Sequence, residues 1–133
     1  MRDNQEPMKI KRLLENLEQQ EKRCFPKQGA LQETTRPGVY VIRSKSGRVY
    51  HVGRTYGGVG GLQGRLRNHL HGQSSFTKKV FKRDGSRLRG RYTYQCLEVP
   101  NNRHRALLEH LAVGKLCPKH LGLGTRKEAQ AKK

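Results

Sequence analysis

The stretch from Gly38 to Gly53, GVYVIRSKSGRVYHVG, constrains the fold more than any other part of the chain. Two runs rich in β-branched and aromatic residues flank SKSG, which is turn chemistry, so the segment reads as a β-hairpin. Successive side chains of a strand leave opposite faces of the sheet, so Tyr50 and His51 are expected to point apart. One of the two is then structural, and the other is free for a different task.

Around the hairpin the pattern is mostly helical. Residues 6–24 carry Ile10, Leu13, Leu14 and Leu17 at helical spacing, with Pro7 suited to a first turn and Met8 joining the apolar stripe. This is an amphipathic helix that packs on the domain or on a partner. Leu62, Leu66 and Leu70 mark a short helix within 60–72, and SSFTKKVFKRDG reads as another, capped by Ser74 or Ser75 and ended near Gly85. RYTYQCLEV alternates like a strand, with Tyr92 and Tyr94 read as sheet packing. NNRHRALLEHLAVGKLCP opens on asparagine caps and stops before Pro118. The order predicts an α+β fold, a small antiparallel three-stranded sheet flanked by helices. We divide it into an N-terminal amphipathic helical extension at 1–33, a domain at 34–124 and a frayed basic tail at 125–133. GGVGG at 57–61 lacks a GK[ST] ending and reads as a connection, not a phosphate loop.

Charge narrows the partner. The chain sets 29 basic against 10 acidic residues, a net +19, over 133 residues, which suffice for one domain. Such an excess repels itself unless a polyanion neutralises it. From Thr34 to Lys127 the only acids are Asp84, Glu98 and Glu109, which makes this part the expected nucleic-acid face. Lys78, Lys79, Lys82, Arg83, Arg87, Arg89 and Arg91 form a basic run suited to a phosphate backbone, joined by Arg54 and Arg67; the plain alternative is a solvated face. Three separated cysteines without a CxxC pair suit reduced thiols. No apolar run approaches a membrane span and no signal-peptide core is visible, so a cytoplasmic, DNA-associated location is expected. Double-stranded DNA is the expected partner, with a homodimer or a partner protein as a further role for the N-terminal helix.

Two features carry chemistry. Arg65 and His69 are four residues apart and share a helix face beside the leucine row. Glu109 is the lone acid of its helix, set among leucines in a basic region, and is either a buried partner for an arginine or a metal ligand.

Together these residues resemble the GIY-YIG nuclease superfamily. GVY (Gly38, Val39, Tyr40), ten intervening residues and HVG (His51, Val52, Gly53) resemble its paired motif, with histidine in place of the second tyrosine. GRLRNHL and ALLEHLAVGKLCP resemble its two helices, and the likeness spans roughly residues 36 to 122. The asparagine often found after the proline is missing, since Lys119, His120 and Leu121 follow Pro118. The resemblance implies a metal-dependent DNA endonuclease that hydrolyses phosphodiester bonds. Tyr40, His51, Arg65, His69 and Glu109 would be its catalytic residues. Glu109 would hold Mg²⁺ or another divalent cation such as Mn²⁺, and Arg65 would contact the scissile phosphate. Tyr40 would assist the attacking water. His51 or His69 would serve as base, with His51 titrating near neutrality. The alternative is a non-catalytic DNA- or RNA-binding protein on the same scaffold.

Overall fold

The computed structural model describes residues 2–57 and 60–121. Along them run α1 (Arg2–Glu18), β1 (Arg23–Cys24), β2 (Gly38–Ser44), β3 (Val49–Arg54), α2 (Gly61–Leu70), α3 (Ser75–Val80), a 3-10 turn (Gly85–Leu88), β4 (Tyr92–Glu98) and α4 (Asn102–Leu116). The fold is α+β, with one antiparallel sheet flanked by helices. The expected basic tail lies outside the described residues, as do Gly58 and Val59 of the glycine-rich connection.

The sheet has four strands in the order β1-β4-β2-β3, and not the three expected. The extra strand pairs Arg23 with Tyr94 and Cys24 with Thr93. Two exposed residues are too few to show an alternating pattern, so the sequence hides it. The first helix also sits further toward the N-terminus than its leucines indicate, so Pro7 stands inside it and not in its first turn. Met8 lies off the stripe and is 57% exposed.

Alternation along β2 divides the core in two. Val39 and Val41 face α1 and α4, where Ile10, Leu14, Leu17, Val52, Leu108 and Ala112 close a wholly aliphatic cluster. Tyr40 and Ile42 face α2 and α3, among Leu62, Leu66, Leu70, Phe76, Phe81 and Tyr94. The N-terminal helix thus packs on the domain. Its exit is fixed by buried Gln95 of β4, whose Nε2 donates to the carbonyls of Glu18 and Gln20 at 2.9 and 2.8 Å. The first is a carbonyl the helix end leaves without an intrahelical donor, and the second lies in the turn just beyond it.

The hairpin turn places Gly47 at φ +97°, where a side chain would strain the backbone. Just beyond it the pairing slips. Arg43 lies opposite Val49 and Ile42 opposite His51, which leaves Tyr50 as an unpaired bulge residue. This overturns the expected split between Tyr50 and His51. Tyr50 packs on the aromatic core with its ring 5.1 Å from that of Tyr92, and His51 stacks on Phe76 of the same core. The inserted residue absorbs half a strand period, so both neighbours turn to one face.

Candidate active site

The glycine of HVG explains the tyrosine of GVY. Tyr40 and Gly53 are directly opposed on β2 and β3. A β-carbon on Gly53 would lie 2.3 Å from the Tyr40 hydroxyl oxygen, so only glycine lets the ring lie over the neighbouring strand. That placement sends the hydroxyl toward α2, where His69 Nε2 stands 2.7 Å away.

From His69 a chain of polar contacts runs through the aromatic core. Nδ1 of His69 is 2.6 Å from the hydroxyl of Ser74, the N-cap of α3, and that hydroxyl is 2.9 Å from the hydroxyl of Thr77. Ser74 Oγ also accepts from the Thr77 amide, and Thr77 Oγ1 donates to the Ser74 carbonyl. One proton arrangement makes every contact a hydrogen bond. Tyr40 donates to Nε2, His69 donates from Nδ1 to Ser74, and Ser74 donates to Thr77. Both Tyr40 and His69 are then neutral, as their burial requires.

The electrostatics agree. Burial pushes the Tyr40 phenol up to about 12, opposed by the nearby Arg65 guanidinium. His69 is held well below its ordinary value by burial, then by His51 and Arg65. Burial, with His120 and Arg65, lowers His51 to about 3. His51 is therefore neutral throughout the neutral range, and its expected titration near neutrality is withdrawn: a dry pocket disfavours the imidazolium. Its ring stacks on Phe76 at 4.7 Å and 8° and lies 5.1 Å from the ring of His69.

His120 completes this group. Its Nδ1 lies 3.2 Å from Nδ1 of His51, so one ring donates and the other accepts. The amides of Lys119 and His120 donate to the carbonyls of Val49 and Tyr50, laying the segment after α4 against the edge of β3. His120 is lowered by burial and by Lys79, which brings the basic segment near this end of the site.

Glu109 arrives from α4, on the other side of the sheet. Its Oε1 accepts from Arg54 Nη1 at 2.8 Å, and both side chains are mostly buried. Its pKa is raised by burial, while Arg54, His110 and Arg65 draw it back down. Tyr40 in turn feels Arg65, Glu109 and Tyr56. The five residues picked out by the motifs thus converge on one region from β2, β3, α2 and α4. Tyr40 and His69 form its floor, fully buried, and Arg65, Arg54 and Glu109 its more accessible wall. The Nε of Arg65 is buried with no hydrogen-bond partner.

Among the described residues no group of three or more His, Cys, Asp or Glu could hold a metal ion. A lone carboxylate such as Glu109 fits only a cation that keeps most of its waters, the habit of Mg²⁺ and of oxygen-preferring ions like it.

The expected nucleic-acid contacts divide. Lys78, Lys79, Lys82, Arg83, Arg87 and Arg91 are exposed, and Lys82 and Arg83 adopt left-handed backbone at φ +52° and +72°. Arg67 donates to the Leu31 carbonyl, and Arg89 to those of Pro26 and Gly29, so both also brace the loop after β1. Ser74, Tyr56 and His120 were not singled out as site residues. Ser74 was legible only as a cap, Tyr56 lies outside any motif, and His120 stood out only among the residues that follow Pro118. No family model, curated protein or solved structure matches the chain. No described helix is long and apolar enough to cross a membrane.

Proposed function

We propose that this protein is a GIY-YIG-like, metal-dependent DNA endonuclease, cutting phosphodiester bonds at the wall formed by Arg65 and Glu109. The observation that carries the reading is that His69 meets the Tyr40 hydroxyl, His51 packs near the Tyr40 ring, and Arg65 and Glu109 lie near enough to act on the same phenol. The half-buried Arg65 offers a phosphate its planar guanidinium, which can meet two phosphate oxygens at once. Tyr40 donates its proton to His69 and leaves its oxygen lone pairs toward Arg65, which makes the phenol a positioning group for that cation. His51 and His69 stay neutral, so neither ring adds a competing cation beside Arg65. Glu109 would hold the divalent cation, Mg²⁺ or Mn²⁺, while its Oε1 keeps the bond from Arg54. The cation supplies Lewis-acid polarisation of a phosphoryl oxygen. DNA is the proposed partner, held along the exposed 78–91 run, in the cytoplasm.

One observation favours the rival reading of a non-catalytic nucleic-acid-binding protein. Glu109 already has an arginine partner, which is all that a structural acid requires. Nicking of supercoiled plasmid decides between the two. The endonuclease reading expects nicking in Mg²⁺, none in EDTA, and a loss of roughly a hundredfold or more in Glu109→Gln. DNA binding by that variant should be unchanged or tighter. Plasmid left intact by the wild type in both Mg²⁺ and Mn²⁺ leaves the binding reading in possession.

A further inference from the structure

Tyr56 follows β3 by two residues and is the most exposed aromatic side chain described, at 56%. Exposed aromatic rings are ordinarily mobile, but this one is backed by a fixed cation. The guanidinium carbon of Arg54 lies 4.8 Å from the Tyr56 ring centroid, and Arg54 is itself held by its 2.8 Å bond to Glu109. Glu109, Arg54 and Tyr56 thus form one continuous row from the proposed cleavage point to an accessible π-surface. Tyr56 is also near enough to Tyr40 to influence its phenol.

We infer that Tyr56 is a stacking platform for an unpaired nucleobase, and that the preferred DNA carries an unstacked nucleotide at the cleavage site. This rests on the endonuclease reading above, since the row begins at Glu109. In an intact duplex each base face is covered by its neighbours, so a ring beside the backbone meets only sugar and phosphate. A bulged, gapped or single-stranded nucleotide can turn its face outward and lie on the ring. A base stacked on Tyr56 lies beside the Arg54 guanidinium, 4.8 Å from the ring centroid, a cation that its phosphate can meet. The guanidinium on the ring adds to the platform through the aromatic quadrupole.

The test uses the full chain in EDTA, where binding is read without cutting. The probes are a fully paired DNA oligonucleotide and the same duplex with one bulged 2-aminopurine. Wild type should bind the bulged DNA more tightly and change its 2-aminopurine fluorescence. Tyr56→Ala should lose roughly tenfold in affinity for the bulged DNA, lose the fluorescence change, and bind the paired DNA as before. Tyr56→Phe should keep both. The inference is overturned if Tyr56→Ala perturbs 2-aminopurine as wild type does, or weakens both DNAs equally. If neither DNA binds, the nucleic-acid reading falls, and this inference with it.

Discussion

One strand, β2, serves two cores of opposite character. Val39 and Val41 enter an aliphatic cluster against α1 and α4, beside the buried Gln95 that reaches the end of α1. Tyr40 and Ile42 enter an aromatic cluster that also encloses His51, His69, Ser74, Thr77 and His120. The aliphatic side stabilises mainly by removing apolar surface from water, and its buried Gln95 is satisfied by the Glu18 and Gln20 carbonyls. The aromatic side also encloses polar atoms, and it links those of Tyr40, His69, Ser74 and Thr77 in one hydrogen-bonded chain while leaving Nε2 of His120 without a partner. A protein that needed only a core would have little use for the second arrangement. The two faces differ in kind: one is held by apolar packing, the other by packing together with a chain of hydrogen bonds.

The largest expected effect separates the faces. Leu14→Ala empties a fully buried site between α1 and α4 and should cost about 2–5 kcal/mol in urea unfolding. Cleavage per folded molecule should not change. Tyr40→Phe should cost less, about 1–3 kcal/mol, by leaving Nε2 of His69 without its donor, yet it should also impair cleavage. Should Leu14→Ala leave the unfolding curve where it was, α1 is no part of the cooperative domain.

Gly53→Ala sharpens the contrast at smaller amplitude. The added methyl would overlap the Tyr40 hydroxyl, so the ring must move at about 1–3 kcal/mol, and cleavage should fall with it. Gly114 lies in α4 with open space where a methyl would go. Gly114→Ala should therefore stabilise by up to about 1 kcal/mol and leave cleavage alone. Thermal melting and plasmid nicking on the same two preparations read both outcomes.

Acid should find the aromatic face first. His51 and His69 have folded pKa values below that of an unfolded histidine, about 6.5. Between the two values the unfolded chain binds more protons, so stability rises with pH there. The stabilisation is complete above about 6.5 and is lost as pH falls toward about 3, the folded value of His51. The slope should approach about 1.4 kcal/mol per pH unit for each histidine. Melting across this window should show His69→Gln with a shallower decline than wild type, whereas Leu14→Ala should only lower the whole curve.

What the sequence made legible follows from how local each signal is. The hairpin, α2 with its leucine row, the Ser74 cap and the strand carrying Tyr92 and Tyr94 all announce themselves within a few residues, and each is present. The edge strand at Arg23 and Cys24 is set by its partner β4 and leaves no pattern of its own. The site divides the same way. Arg65 and His69 were placed together by helical spacing, but the Arg54–Glu109 pair spans 55 residues and His51–His120 spans 69. Neither could be read from spacing. The neutral state of His51 was equally hidden, because desolvation depends on how Phe76 and His69 close around the ring.

The smallest effect tests the bulge that brings Tyr50 and His51 to one face. Tyr50 is only partly buried, with its ring between Tyr92, the Arg48 guanidinium at 5.7 Å and the Lys119 ammonium at 5.2 Å. Tyr50→Phe keeps the ring and its cation contacts, so stability should move by less than about 0.5 kcal/mol and cleavage should be nearly normal. His51 shares the face but faces the site. His51→Phe keeps a flat ring to stack on Phe76 but removes the nitrogen beside His120, whose Nε2 already lacks a partner. His51→Ala should lose most activity, while His51→Tyr, which restores the hydroxyl typical of the resembled motif, should retain some. Because His51 is neutral above about 3, none of this should appear as an inflection in wild-type rate between about pH 5 and 8. An inflection in that range that vanishes in His51→Tyr would mean the imidazole titrates in the working enzyme. The ring would then be wetter than its packing against Phe76 and His69 allows.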